Sequence, residues 1–551
     1  MSLRLFTAVA VPAFLLGFFP FVLAAQPDLS RLGTRAKLGS VHFEISGSPG
    51  AQAAFERGVT LLHSFEFGPA ITEFHAALTA DSECAMAYWG IAVCWWGNPF
   101  APGLKSVSSL QHGRVAIEAA EAAKEKTQRE RDYIAAVARL YDNFETTTQQ
   151  SRLDAYCDAM SNVAARYPTD TESTIFYALS LSASADLSDK TYTKQLKAGA
   201  ILETLFRKMP QHPGVAHYII HTYDFPPLAA RALVAARAYA KIAPDSPHAL
   251  HMPSHIFTRL GLWNESITSN VASRTAARRE GNVTEELHAS DYLVYAYLQS
   301  GRDSAGEQIL QNLPEIESRF DPKAVPIGAA PVLAAYFALA AIPARCALEH
   351  GDWVVASKLQ VRLTSYPYTD AITWFARGMG GARIGDTTTA RDAAQQLAII
   401  HGRLIDSKES YWALQVEIQR LDVLAWVALA TKDTVGALQQ MRKAVYLEDG
   451  TEKSVVTPGP IAPAHELLGE MLLQINRPGD AVREFETTLK EEPNRFRALY
   501  GAAKAAELAG NSQVAQRYAN ALLKVCFQAG DPRRPELAEL RAIANPLDDH
   551  K

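Results

Sequence analysis

APAHELLGEMLLQINRPGDAVREFETTLKEEP, residues 462–493, carries Gly469, Ala481, Phe485 and Pro493 at set intervals within two runs of helical periodicity. The next unit repeats the pattern: Ala503 and Ala515 stand 34 residues beyond Gly469 and Ala481, with Gly510 between them. Small residues at such places let two helices approach closely, and a bulky ring beside them fills the space. A helical hairpin of this length cannot bury its apolar face alone, so a 34-residue period predicts stacking of successive hairpins.

The same logic is visible near the amino-terminal end, in AAFERGVTLLHSFEFGPAITEFHAALTADSECAMAYWGIAVCWW, residues 53–96. Gly58 falls where two facing helices must come close, Leu61 and Leu62 line a core, and Ala70, Phe74 and Ala77 mark a second helix. Asp81-Ser82 reads as a turn, after which Ala85 to Tyr88 opens the next hairpin. These units resemble the tetratricopeptide repeat. The resemblance implies an all-α fold, a superhelical solenoid of antiparallel helix pairs whose first helices line a concave groove. Between the two ends the pattern is looser, with breaks near Tyr167-Pro168, Met209-Pro210 and Tyr366-Pro367 and a three-proline loop between Leu447 and Ala464. Alternation of Val, Ile and Thr never persists, so no strand is expected.

A chain of 551 residues exceeds one ordinary core, and its 48% hydrophobic and 21% charged content excludes disorder for most of its length. Its organisation is expected as a signal peptide (1–24), an extended lead-in (25–48), an amino-terminal helical array (49–320) and a carboxy-terminal array (321–551). Arg4, the apolar run from Leu5 to Leu23 and the small residue Ala24 carry the signal reading. It places the protein outside the cell, in a periplasm or in a secretory lumen; a membrane is implied only if that segment stays uncleaved. The net charge of −5 provides no basic field for nucleic acid. Five cysteines, Cys84, Cys94, Cys157, Cys346 and Cys526, are too few and odd in number for a disulfide framework and are expected in the core.

Seven of the fifteen histidines lie between residues 212 and 288. His217 and His221 are four apart, as are His251 and His255, and the two pairs are offset by 34 residues. Residues four apart share a helix face. Carrying the repeat register over from the resemblance puts His217, His221, His248, His251, His255 and His288 on adjacent groove-lining helices, with Asp291 and Tyr295 on the last. Neutral imidazole is a ligand for Zn, Cu and Fe, so the expected role of the six is to hold a transition metal of that kind, with Asp224 or Asp291 as a further ligand. Without a metal, Asp291, Tyr292 and Tyr295 are candidate catalytic partners of the histidines. No His-Glu-x-x-His motif is present, and whether the protein is an enzyme stays open. The alternative is a non-enzymatic scaffold holding a peptide, partner protein or small molecule in its groove, with Glu466, Glu470, Arg497, Tyr500 and Lys504 on the wall. His63, alone in the first repeat, is more simply a packing residue.

Overall fold

The computed structural model describes residues 36–101, 103–124, 126–323, 328–529 and 534–545, and every regular element among them is a helix. The expected signal segment and the start of the lead-in lie outside these residues. Residues 36–48 run extended along the first helices: Phe43 is buried against Phe55, Trp89 and Tyr133.

Consecutive helices pack as antiparallel pairs, and the stacking follows the small residues. A Cβ on Gly58 would come within 2.6 Å of the Phe74 ring, and one on Gly90 within 2.4 Å, so Phe74 is sandwiched between two glycine-bearing helices. Phe485 sits in the same way between Gly469 and Gly501, where added Cβ atoms would approach to 2.8 and 2.3 Å. The paired helical stack is therefore built on these close approaches. All five cysteines are free and buried.

The helical path folds back on itself. Gly261, at φ +64 in the turn before the helix Trp263–Glu280, packs on Pro493 so closely that a Cβ would stand 2.2 Å from its carbonyl oxygen. Trp263 donates its indole N–H to the Asn494 carbonyl at 2.9 Å. Arg495 then reaches into the middle of the chain, to Glu349 at 2.7 Å, to Glu466 at 2.8 Å and to the Tyr295 hydroxyl at 3.1 Å. Buried Arg534 forks onto Asp303, with both nitrogen–oxygen distances at 2.8 Å.

This closure brings the proline-containing segment 450–463 inward as a strap. Arg345, buried in the helix Val332–His350, donates to the Thr457 hydroxyl at 2.7 Å and to the Gly459 and Pro460 carbonyls at 2.9 and 3.0 Å. The helix Val332–His350 is long and apolar enough to cross a membrane, but it is mostly buried and reads as a core helix.

A candidate metal centre

Three helical segments deliver the histidines. Pro213–Thr222 starts with Pro213 in its first turn and the His212 ring accepting the Val215 N–H at 3.3 Å, and it carries His217 and His221 one turn apart. Pro247–His251 is capped by Ser246 and continues through Met252 into Pro253–Arg259. Pro253 removes one backbone donor at that junction, yet the chain keeps its right-handed helical course, so His248, His251 and His255 stay on one side. Val283–Gln299, capped by Asn282, supplies His288.

The six rings meet in the interior. The ligand nitrogens of His217, His221 and His248 all lie within 4.8 Å of one another, as do those of His251, His255 and His288. His221 and His255 link the two triads, with ring centroids 6.0 Å apart. Every one of the six is buried. The open groove wall expected from the register is thus a closed interior, because the strap 450–463 and residues 329–331 cover it. A small cavity of about 20 Å³, room for one water-sized occupant, is lined by His221, His248, His255 and His288 and roofed by Val455 and Val456.

Hydrogen bonds behind the rings select which nitrogen faces inward. His255 Nδ1 donates to Asp224 Oδ2 at 2.9 Å. Burial opposes ionisation of Asp224, but Lys453 and Arg259 outweigh it and hold the carboxyl well below the usual range. The carboxylate is an obligate acceptor, so the His255 proton sits on Nδ1 and Nε2 presents a lone pair. His251 Nδ1 donates to Asn270 Oδ1 at 2.7 Å, and the Asn270 amide is oriented by its own N–H bond to the Ser266 carbonyl at 2.8 Å. Nε2 of His251 is therefore an acceptor too. These two Nε2 atoms stand 3.1 Å apart.

Two lone pairs at that distance repel unless something positive lies beside them. A shared proton is disfavoured: burial, followed by the neighbouring His288 and His255, drives His251 well below the usual imidazole range, and burial also lowers His255. A tetrahedral metal with bonds of about 2.0–2.1 Å sets its ligand nitrogens about 3.3 Å apart, close to what is seen.

The other triad is similarly under-satisfied. His217 Nδ1 donates to the His63 carbonyl at 2.7 Å, which turns its Nε2 lone pair toward His248 Nε2 at 3.2 Å. A proton on His248 Nε2 would satisfy this pair but leave His248 Nδ1 without a partner. Neither ring nitrogen of His221 has one, and His288 Nδ1 has none. Each such buried orphan costs about 1–3 kcal/mol. Burial is the main cause holding His217 and His288 down at about 3, so these two rings are neutral at physiological pH.

A third group, His63, Glu172 and His212, has the same residue types and a different character. His212 Nδ1 is spent on the Val215 N–H, so its Nε2–H donates to Glu172 Oε1 at 2.8 Å; His63 Nε2–H donates to Glu172 Oε2 at 2.9 Å, and Tyr218 satisfies His63 Nδ1 at 2.9 Å. Every nitrogen is satisfied by an ordinary proton. This is a structural knot tying the first helix to the histidine-bearing ones, and it gives His63 a partner set that its isolated place in the sequence did not suggest.

Of the three catalytic candidates, only Tyr292 is at the site. Its hydroxyl lies 3.4 Å from His255 Nδ1 and bonds the strap carbonyls of Val455 and Thr457 at 3.1 and 3.0 Å. Asp291 instead takes Arg345 Nε at 2.9 Å, because a buried carboxylate needs a counter-charge and the guanidinium supplies it. Tyr295 faces away, donating to Glu492 at 2.5 Å. The groove charges are also paired internally: Glu466 with Arg495, and Glu470 with Arg383 and Arg497. Sequence reading missed Asn270 and Arg345, which carry no motif and act only through their long-range partners.

No family model and no curated protein matches the chain. Among solved structures it is similar to the human IFIT1 dimer with m7Gppp-AAAA, at 10% identity over 89% of this chain and 97% of that one, with a TM-score of 0.36. It is also similar to the Cut9–Hcn1 hetero-tetramer of APC/C, at 12% identity over 90% of each chain, with a TM-score of 0.31.

Proposed function

We propose that this is an exported, tetratricopeptide-like protein that holds a transition metal, Zn, Cu or Fe, in its buried six-histidine cluster. The observation that carries the reading is the pair of His251 and His255 Nε2 lone pairs 3.1 Å apart, each fixed by a hydrogen bond on the far side of its ring. Such far-side bonds are what orient metal-ligating imidazoles. His288 completes one triad, and His217, His221 and His248 form a second. When bound by three imidazoles with a position open, a metal of this kind supplies Lewis acidity and can bring a bound water to a pKa of about 7. Asp224, with Lys453 and Arg259 behind it, holds the proton on His255 Nδ1 and so keeps Nε2 facing inward.

The scaffold reading is weaker on this structure, since the charges that would grip a peptide are engaged with one another. The test is the metal content of protein produced without an affinity tag and passed over a desalting column. About one equivalent or more of Zn, Cu or Fe per chain is expected; a chain free of all three that also fails to take any of them up on titration overturns the proposal.

A further inference from the structure

A cavity lined by strap residues but by none of the six histidines has a volume of about 620 Å³, within the usual range of about 300–1,000 Å³ for small-molecule sites. One wall is aromatic: Tyr368 and Trp412 are stacked 4.0 Å apart at an interplanar angle of 4°, and Phe337 and Tyr411 continue the surface.

The charges around it are unevenly committed. Lys190 is bound to Glu452 at 2.7 Å, and Arg259 and Lys453 share Asp224 at 2.9 and 3.2 Å, so these three cations are engaged; Lys490 also lines the cavity. Glu448, also lining the cavity, makes no ion pair among the described residues. One of its oxygens accepts the Ala464 N–H at 2.8 Å, and burial pushes its carboxyl up to about 7, with His465 as the nearby counter-charge. Glu491, also lining the cavity, is likewise raised, by burial and by Glu452, with Arg259 and Lys190 offsetting part of the shift.

We propose that this cavity is a binding site for a small primary amine carried on an aromatic body, the ammonium facing Glu448 and Glu491 and the ring lying against the Tyr368–Trp412 stack. An ammonium gives Glu448, whose neighbour His465 is bonded to Glu484 and Asp449, an ion-pair partner of its own. An aromatic wall beside carboxylates favours an organic cation over a hydrated metal ion. The inference does not depend on the histidines holding a metal, because none of the six lines this cavity.

Three probes with one ring and three charges test it: tyramine, the neutral alcohol tyrosol, and 4-hydroxyphenylacetate, each titrated calorimetrically into the full chain. Tyramine should saturate one site, with tyrosol weaker by about tenfold or more and the acid weaker still. Exchanging both carboxylates, Glu448→Gln with Glu491→Gln, keeps the acceptor for the Ala464 N–H. It should weaken tyramine by about tenfold while leaving tyrosol and the metal content unchanged. Binding of the acid as tightly as the amine, an undiminished tyramine affinity in the double variant, or no saturation by any probe up to roughly 10 mM overturns the proposal.

Discussion

Changing His251 and His255 together to Ala should reduce the bound metal to about a tenth of the wild-type content or less, since both inward-facing Nε2 atoms are lost and three-ligand affinity collapses to that of a single imidazole in the triad. Loss of fold is separable from loss of ligands. The rings occupy a wall between the segments Pro247–Arg259 and Val283–Gln299 rather than a helix-packing glycine site, so far-ultraviolet circular dichroism should remain helical. Two companions sharpen the result. Glu172→Gln cuts into the satisfied knot of His63 and His212, and it should lower thermal stability with metal content intact. Asp224→Asn frees the His255 tautomer and should weaken metal affinity by about 10–100-fold, the usual cost of losing such a far-side partner. Retention of full metal by the double histidine variant would place the metal elsewhere.

Arg495→Ala should destabilise the protein by about 3–5 kcal/mol, the cost of stripping the counter-charge from buried carboxylates. The guanidinium, essentially inaccessible at 1% exposure, is shared by Glu349 and Glu466, which are buried to the same degree. Without it, two carboxylates face each other in the interior where the carboxy-terminal repeats dock on the middle of the chain. Arg495→Lys should recover only part of the loss, because an ammonium cannot reproduce the fork that reaches Glu466 through Nε and Nη2 and Glu349 through Nη2. Thermal unfolding followed by circular dichroism reads both. A midpoint unchanged by Arg495→Ala would show that this closure contributes nothing to stability.

What the sequence disclosed was whatever depends on neighbours in the chain. The Phe74 and Phe485 rings resting on glycines follow from local register, as do the i,i+4 histidine pairs and the small-residue period. The convergence of His217, His221, His248, His251, His255 and His288 followed from stacking adjacent repeats. The closure did not follow, because nothing in a 34-residue period says that Pro493–Arg495 will pack on Gly261 and Glu349, or that Val455 and Val456 will roof the histidines. For the same reason the register could not tell that Asp291 and Tyr295 are claimed by Arg345 and Glu492. Nor could it separate the satisfied group around Glu172 from the under-satisfied one around His251, since that difference lies in the acceptors behind the rings.

X-ray absorption on the tag-free protein tests the central claim most directly. A Zn, Cu or Fe edge is expected, with nitrogen scatterers at about 2.0–2.1 Å and the outer-shell pattern of several imidazoles, lost in the His251→Ala, His255→Ala double variant. A metal ligated chiefly by oxygen or sulfur, or a spectrum unaltered by that variant, would contradict it.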